Sequence, residues 1–216
     1  MTYIIAIDGP SGSGKSTIAE ELSKKLKIDY LNTGSMYRAV TKYFLDENIK
    51  EDDKDAIIEK LKDIHLDLID GKVYLNKEDV SREIRSDLVT KNVSWVSANK
   101  DVREKLLTIQ RQLAKSKSFI LDGRDIATVV FPNAKYKIFL TASPRVRARR
   151  RYEQQESELS IDEIEKSIIA RDEYDSTREI APLKKAKDAI LIDNSNMSIG
   201  QTLDAIISIM DEEDVL

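Results

Sequence analysis

The segment Gly9-Pro-Ser-Gly-Ser-Gly14-Lys15-Ser16-Thr17 decides the fold. It follows a short apolar run, Ile4 to Ile7, that is typical of a buried strand, and Ile18, Leu22 and Leu26 then recur at helical spacing. The segment matches the phosphate-loop pattern G-x-x-x-x-G-K-[ST] in the strand-to-helix context that its mechanism requires. The sequence therefore predicts a nucleoside triphosphate site at the start of the first helix.

Each residue type in this loop suits phosphate. Glycines let the backbone form a nest of N–H groups that face phosphate oxygens, and the following helix adds its positive end. We expect Lys15 to reach the β- and γ-phosphates of ATP and Ser16 to be a ligand of Mg²⁺. The predicted ATP-binding residues are Gly9, Pro10, Ser11, Gly12, Ser13, Gly14, Lys15, Ser16 and Thr17.

Four further apolar runs have the length of strands, and segments with helical periodicity lie between them. The runs are Ile28–Leu31, Phe119–Leu121, Lys137–Leu140 and Ala189–Ile192. Such alternation is typical of an α/β fold with a parallel sheet. We predict a phosphate-loop NTPase type of sheet with about five strands, buried on both faces and flanked by helices.

One segment breaks the alternation. Ile64, Leu66 and Leu68 alternate with polar residues, and the turn pair Asp70-Gly71 precedes a second alternating stretch that ends at Leu75. This pattern predicts a β-hairpin in a small lobe of about residues 61–98. The lobe would interrupt a single unit of residues 1–216 whose core is 1–60, 99–150 and 176–216.

Composition excludes several classes of protein. The 216 residues include no Cys and a single His65, which excludes disulfide frameworks, thiolate nucleophiles and Cys-ligated metals; we interpret His65 as a partly buried structural residue. The formal net charge is −4, whereas proteins that bind nucleic acid usually carry a basic excess. The start of the chain lacks a basic signal region, and no apolar run approaches about 20 residues. We expect a cytoplasmic monomer that binds neither nucleic acid nor membrane. The acidic tail, Asp211–Asp214, is predicted to be a solvated, frayed end.

Two motifs suggest other nucleotide-binding classes. Asn76-Lys-Glu-Asp79 is similar to a guanine-reading motif, but none of the seven glycines has Asp three residues before it, as a GTPase would require, and the hairpin is the wrong context. The run Arg145–Arg151 contains five arginines and would suit a nucleotide-dependent RNA-binding module. We interpret the first motif as a coincidence and keep the RNA-binding module as an alternative.

Single arginines in separate segments favour a kinase for a small phosphorylated acceptor. Guanidinium groups bind phosphate through two hydrogen bonds and remain charged at any working pH. Two phosphorylated substrates held together repel each other, so their pocket needs several such groups. The candidates are Arg38, Arg103, Arg124, Arg171 and Arg178.

The chain resembles bacterial cytidylate kinases, a family of nucleoside monophosphate kinases, over essentially its full length. The phosphate loop is shared with all such kinases, and the later blocks are more specific. These blocks are Asn32–Arg38, Val102–Glu104, Asp122–Asp125 with Val129–Pro132, and Arg171–Asp172 through Ala181–Leu183. Family members usually have Asp at the position of Asn32 and Ala at that of Ser35, and neither change removes a charge that the mechanism needs.

The resemblance implies ATP:CMP phosphotransfer, with dCMP as a second acceptor. It implies that Arg38 and Arg124 hold the CMP phosphate and that Ser94, Arg103 and Asp125 meet the cytosine edge. Arg171 and Asp175 would face the ribose or phosphate, with Arg178 nearby and Thr33 as a further substrate residue. Lys15, Arg124, Arg171 and Arg178 would be the catalytic group. The inserted lobe would bind the acceptor, and residues of about 151–175 would form a helical lid with its tip at 152–160. A kinase for another small acceptor, such as UMP, remains the alternative within this class.

Overall fold

The computed structural model describes residues 2–69, 71–115, 117–154 and 159–215. It divides into two compact units, one formed by Met1–Asn32 with Leu113–Leu216 and the other by Thr33–Gln112. The predicted lobe of about 61–98 lies within the second unit. Among the described residues, no helix combines the length and the apolar character that a membrane span requires.

The first unit is built on a parallel sheet of five strands, which confirms the predicted fold class. Its strands are β1 (Ile4–Asp8), β2 (Asp29–Asn32), β6 (Phe119–Gly123), β7 (Tyr136–Thr141) and β8 (Ile190–Asp193). The order across the sheet is β2-β6-β1-β7-β8, and every neighbouring pair is parallel. β1 lies between β6 and β7. After β1 the chain therefore first adds β2 and β6 on one side of it and then crosses over to add β7 and β8 on the other side. In open parallel sheets, ligands bind outside the carboxyl ends of the strands at such a crossover.

The first unit also contains α-helices, some of which pack against this sheet because their apolar residues recur with the helical period. They are α1 (Lys15–Leu26), α6 (Pro144–Glu153), α7 (Ile161–Thr177), α8 (Ile199–Ile207) and the short α9 (Glu212–Val215). Ile18 and Leu22 of α1 and Ile206 of α8 are buried with the strand residues Ile5 and Ile138 in one apolar core. This core holds the carboxyl end of β1 in a fixed position.

The edge of the sheet and the tail differ from the predictions. β8 is an edge strand in which Ile190 is 43% and Leu191 56% exposed, so it is not buried on both faces. The carboxyl-terminal tail is not frayed, because the Asp214 carboxylate accepts hydrogen bonds from Tyr136 Oη at 2.5 Å and Lys135 Nζ at 2.6 Å. A polar segment can therefore be anchored where a partner strand offers donors, which composition does not reveal.

The second unit combines helices with a small antiparallel sheet. Its helices are α2 (Thr33–Asp46), α3 (Lys54–Lys62), α4 (Asp87–Ala98) and α5 (Lys100–Leu113), the last of which ends at the unit boundary. Its strands are β3 (Leu66–Ile69), β4 (Lys72–Leu75) and β5 (Glu78–Asp79), in that order across the sheet. The Trp95 ring stacks on Phe44 with centroids 6.0 Å apart and so packs within this unit.

The predicted hairpin is confirmed, and the guanine-like motif is part of it. β3 and β4 pair from Leu66 opposite Leu75, with Asp70 of the predicted turn outside the described residues. Asn76 and Lys77 have positive φ angles of 49° and 75°, which a two-residue turn into β5 requires. Turn geometry therefore accounts for this motif. His65 precedes β3 and is exposed rather than partly buried, so the prediction for it was wrong.

Candidate active site

The phosphate loop links β1 to α1 in a geometry that only glycine permits at its first position. A Cβ on Gly9 would lie 2.0 Å from the carbonyl oxygen of Leu140 in β7, well inside contact distance. Gly14 precedes α1 in the left-handed region, with φ 88° and ψ 10°. The loop is thus packed against the neighbouring strand, and its backbone turns directly into the amino-terminal end of α1.

Lys15 is held inside this loop. Its Nζ donates to the Pro10 carbonyl at 2.7 Å and to Ser13 Oγ at 3.3 Å, and the residue is 6% exposed. Burial lowers the pKa of Lys15 to about 7, and the nearby Arg124 acts in the same direction. The loop therefore positions an amine at which anionic oxygens would favour the charged form.

A carboxylate lies beside Ser16 that the sequence analysis did not select. Asp122, near the end of β6, accepts a hydrogen bond from Ser16 Oγ at 2.9 Å and one from Tyr30 Oη at 3.0 Å. Asn32 Nδ2 donates to Ser16 Oγ at 3.1 Å. Burial raises the pKa of Asp122, whereas Lys15 and Ser16 oppose that shift. The signal was present in the sequence, since an acidic residue that ends a buried strand in a phosphate-loop protein is a candidate metal ligand.

Three arginines of the first unit surround one buried carboxylate. Asp175 is 1% exposed and accepts a hydrogen bond from Arg124 Nε at 3.0 Å. Arg171 Nε and Arg178 Nη1 lie 3.9 Å and 3.8 Å from its oxygens. Burial alone would raise the pKa of Asp175, but the three arginines together lower it. We call Arg124, Arg171 and Arg178 the arginine cluster.

The arginine cluster also lies close to a second carboxylate and to the phosphate loop. Arg178 Nη2 lies 4.0 Å from Asp125 Oδ1, so Asp125 and Asp175 face three guanidinium groups. Arg124 and Arg171 both lower the pKa of Lys15 by their charge, which places them near the phosphate loop. Three guanidinium groups beside this loop suit phosphate groups rather than neutral ligands.

The arginines of the run Arg145–Arg151 have different surroundings. Arg147 is 3% exposed, donates to the Ser11 carbonyl at 2.9 Å and pairs with Asp172 at 2.6 Å. Arg150 Nη2 donates to the Asn194 carbonyl at 2.8 Å, and Asn194 in turn donates to the Ser13 carbonyl at 3.1 Å. Arg147 and Arg150 therefore hold backbone groups of the phosphate loop and of the segment beside it. Because Arg147 is buried, it does not belong to a solvent-exposed basic patch.

The second unit holds the other predicted acceptor residues. Arg38 in α2 donates to the Ile84 carbonyl at 3.1 Å and to Thr90 Oγ1 at 2.8 Å. Arg103 in α5 is 8% exposed, donates to the Ser97 carbonyl at 3.0 Å and lies over the Tyr37 ring at 5.6 Å. Ser94 is half-buried in α4, and Thr33 is buried at the start of α2.

A sequence model described as cytidylate kinase matches residues 5–212. This chain belongs to the cytidylate kinase family. The cytidylate kinase of Fusobacterium nucleatum subsp. nucleatum is 50% identical over 206 residues, which cover 94% of each chain. The cytidylate kinase of Thermotoga maritima is 43% identical over 216 residues, which cover 98% of each chain.

Solved structures with low identity share the fold of this cytidylate kinase family member. A shikimate kinase from Bacteroides thetaiotaomicron superimposes with a TM-score of 0.51 at 13% identity and covers 95% of each chain. An uncharacterised protein from Eubacterium ventriosum gives a TM-score of 0.55 at 15% identity, with coverage of 98% of this chain and 99% of that one. These likenesses concern the fold alone, and they agree with the predicted α/β class.

The helical lid predicted from the cytidylate kinase resemblance is described in part. α6 ends at Glu153, and α7 begins after Ser160, whose side chain forms a capping box with that of Glu163. Residues 155–158 of the predicted tip lie outside the described residues. Within α6 and α7, Ala148, Ile164 and Ile168 form a small apolar core of their own.

Proposed function

We propose that this protein transfers the γ-phosphoryl group of ATP to CMP and produces ADP and CDP. The observation that carries the proposal is the arginine cluster beside the phosphate loop, in a chain of the cytidylate kinase family. Phosphoryl transfer proceeds through a loose transition state, so catalysis depends mainly on alignment and charge neutralisation. Lys15 and the arginine cluster are suited to both tasks.

The donor is ATP, and its phosphates are proposed to bind the loop of residues 9–17. Lys15 would contact the β- and γ-phosphates from its buried position. Arg147 and Arg150 would act through the backbone, because they hold the carbonyl groups of Ser11 and Asn194. These hydrogen bonds fix the conformation of the loop before the nucleotide binds, which reduces the conformational entropy lost on binding.

The residues present fit a Mg²⁺ ion. Ser16 offers a hydroxyl and Asp122 a carboxylate at 2.9 Å from it, both oxygen ligands that Mg²⁺ prefers. No group of three His, Cys, Asp or Glu side chains suitable for a metal occurs among the described residues. Mg²⁺ usually binds through one or two carboxylates plus substrate phosphates and water, so a sparse protein site is expected. When bound, the ion would neutralise charge on the phosphate oxygens.

The acceptor is proposed to be CMP, with dCMP as a second substrate. Arg38 and Arg124 would hold its phosphate, and Ser94, Arg103 and Asp125 would meet the cytosine edge. Cytosine presents an N4 amino donor that a carboxylate such as Asp125 can accept, whereas uracil presents an O4 acceptor. Thr33, Arg171, Asp175 and Arg178 complete the proposed substrate contacts. The attacking phosphate oxygen is already anionic, so no general base is required.

We further propose a cytoplasmic monomer with no nucleic-acid or membrane partner. The net charge of −4 and the burial of Arg147 both disfavour a phosphate-backbone surface. Light scattering behind a sizing column would test the monomer, and a salt titration of RNA binding would test the absence of a nucleic-acid partner.

The function is tested by coupled ADP release with ATP and Mg²⁺ against CMP, dCMP, UMP and AMP. Turnover concentrated on CMP and dCMP is the expected result. Equal or higher turnover of UMP would move the assignment to the alternative acceptor, and no turnover of any monophosphate would overturn the proposed chemistry.

A further inference from the structure

Asp8 is a buried carboxylate with no role in the chemistry described above. It is the last residue of β1, directly before the phosphate loop, and it is 2% exposed. Its Oδ1 accepts the backbone N–H of Ile126 at 2.8 Å, and its Oδ2 accepts that of Ala127 at 2.8 Å. One side chain therefore holds two consecutive peptide groups that lie more than a hundred residues away in sequence.

These two peptide groups begin a wide helical turn, Ile126–Val130. The first N–H groups of any helical turn lack partners within the turn and need an acceptor from elsewhere. Usually the residue in the capping position supplies it. Here that residue is Asp125, and among the described residues its side chain does not cap the turn. Asp8 supplies both acceptors instead, from the neighbouring strand.

Because Asp8 caps the turn, the Asp125 carboxylate can face Arg178 instead. Its Oδ1 lies 4.0 Å from Arg178 Nη2. Arg124, one residue earlier, reaches Asp175 at 3.0 Å. Burial raises the pKa of Asp8 to about 7, and the charge of Asp125 acts in the same direction, whereas the two N–H groups and Lys15 lower it. Burial of a carboxylate is unfavourable unless hydrogen-bond donors in fixed positions stabilise its charged form, as the two N–H groups do for Asp8.

We propose that Asp8 is a positioning residue for the acceptor, whose carboxylate fixes the backbone that presents Arg124 and Asp125 to CMP. The proposal rests on the proposed function. β1 thereby serves both substrates, because it leads into the loop proposed for ATP and caps the turn proposed for CMP. Base selectivity would then depend on a residue that does not touch the base.

The first test is Asp8→Asn, which keeps the size of the side chain. Its amide oxygen can accept only one of the two N–H groups, and its NH₂ group would face the other. We expect kcat/KM for CMP to fall about tenfold and the preference for CMP over UMP to fall about fivefold. KM for ATP should change by less than about twofold, since Lys15 and the loop are retained. A folded variant with an unchanged CMP preference would overturn the proposal.

A matched control is Asp214→Asn, the same chemical change at another carboxylate of the first unit. Asp214 accepts hydrogen bonds from Tyr136 and Lys135 at the tail, so the variant should lower stability. Its CMP preference should equal that of the wild type, which separates positioning from a general loss of stability. A similar loss of preference in this control would overturn the proposal.

A double-mutant cycle tests whether Asp8 acts through Asp125. Asp8→Asn should reduce CMP preference in the wild type but have little further effect in an Asp125→Asn background. Additive effects would show that Asp8 acts by another route and would overturn the proposal.

Hydrogen exchange of the wild-type protein supplies a readout that needs neither a variant nor activity. The Ile126 and Ala127 amide hydrogens should exchange slowly in the absence of nucleotide, because both are held by Asp8. Exchange as fast as in an exposed loop would overturn the proposal even if CMP is the substrate. If the wild type does not turn over CMP, the proposed function is contradicted. The hydrogen-exchange measurement then still decides whether Asp8 holds the turn.

Discussion

Asp175 accepts a hydrogen bond from Arg124 at 3.0 Å and is at the same time the shared counterion of Arg171 and Arg178. Three guanidinium groups, one directly after β6, one in α7 and one directly after α7, are thus held around one carboxylate. Because like charges repel, this carboxylate sets the distance between the arginines before any phosphate binds. The arginine cluster is therefore preorganised for an anionic substrate.

Replacement Asp175→Asn should disturb this cluster. Without its charge the three arginines repel, and kcat/KM for CMP should fall on the order of tenfold to a hundredfold. ATP affinity should not weaken, since a negative charge near the site is removed. Steady-state kinetics and ATP titration check both statements. Asp188→Asn is the control, because Asp188 forms an exposed ion pair with Lys137, and wild-type kinetics in Asp175→Asn would contradict the expectation.

The interactions of Asp175 with the three arginines also predict how the unfolding free energy changes at acidic pH. The pKa of Asp175 is lowered in the folded protein, because the three arginines outweigh the effect of burial. Its contribution to stability is then fully present above its unfolded pKa of about 3.9 and is lost as pH falls through the lower folded value. The difference in unfolding free energy between wild type and Asp175→Asn should therefore shrink from about pH 5 to about pH 2. A difference that stays constant over this range would refute the prediction.

ATP binding should take up a proton through Lys15. Burial and Arg124 lower the pKa of Lys15 to about 7 in the nucleotide-free protein, so part of the population is neutral. Phosphate oxygens favour the ammonium form and raise this pKa again. Calorimetric titrations at about pH 8 in buffers of different ionisation enthalpy should show uptake of a fraction of a proton. Lys15→Arg should reduce the buffer dependence, since arginine stays charged, and equal enthalpies in all buffers for the wild type would exclude proton uptake.

Asn32→Asp should alter the requirement for Mg²⁺. Asn32 donates to Ser16 Oγ at 3.1 Å, and Ser16 donates to Asp122. A carboxylate at this position adds a second hard oxygen ligand beside Ser16, so half-maximal activity should occur at about threefold to tenfold lower Mg²⁺ concentration. Activity measured against Mg²⁺ at fixed ATP checks this. An unchanged or higher requirement would show that this position does not face the ion.

Two arginines of α6 provide a matched pair. Arg147→Ala leaves the carbonyl groups of Ser11 and Ala142 and the carboxylate of Asp172 without their donor, which should destabilise the protein by about 2–4 kcal/mol and weaken ATP binding about tenfold. Arg149 is exposed, so Arg149→Ala should change neither quantity. Denaturant unfolding and ATP titration of both variants make the comparison. Similar effects in the two would show that total charge, rather than the contacts of Arg147, is what matters.

Local sequence patterns were sufficient for much of this structure. The phosphate loop, five parallel strands and the β3–β4 hairpin follow from glycine placement and hydrophobic periodicity, which act over a few residues. Patterns of this range did not reveal the exposure of β8 or the anchoring of Asp214, because both depend on which strand lies alongside. β5 was also missed, since two polar residues, Glu78 and Asp79, carry no periodic signal.

The candidate site divides in the same way. The sequence by itself determined that the phosphate-loop motif lies between β1 and α1, because motif, strand and helix coincide there; it predicted a triphosphate site at this place, and the family blocks pointed to CMP. Only the tertiary structure decided that Asp122 lies beside Ser16, that Asp175 gathers three arginines, and that Asp8 caps the turn after Asp125. These relationships join residues far apart in the chain through burial and hydrogen bonding. Their geometry exists only once the parallel strands are aligned.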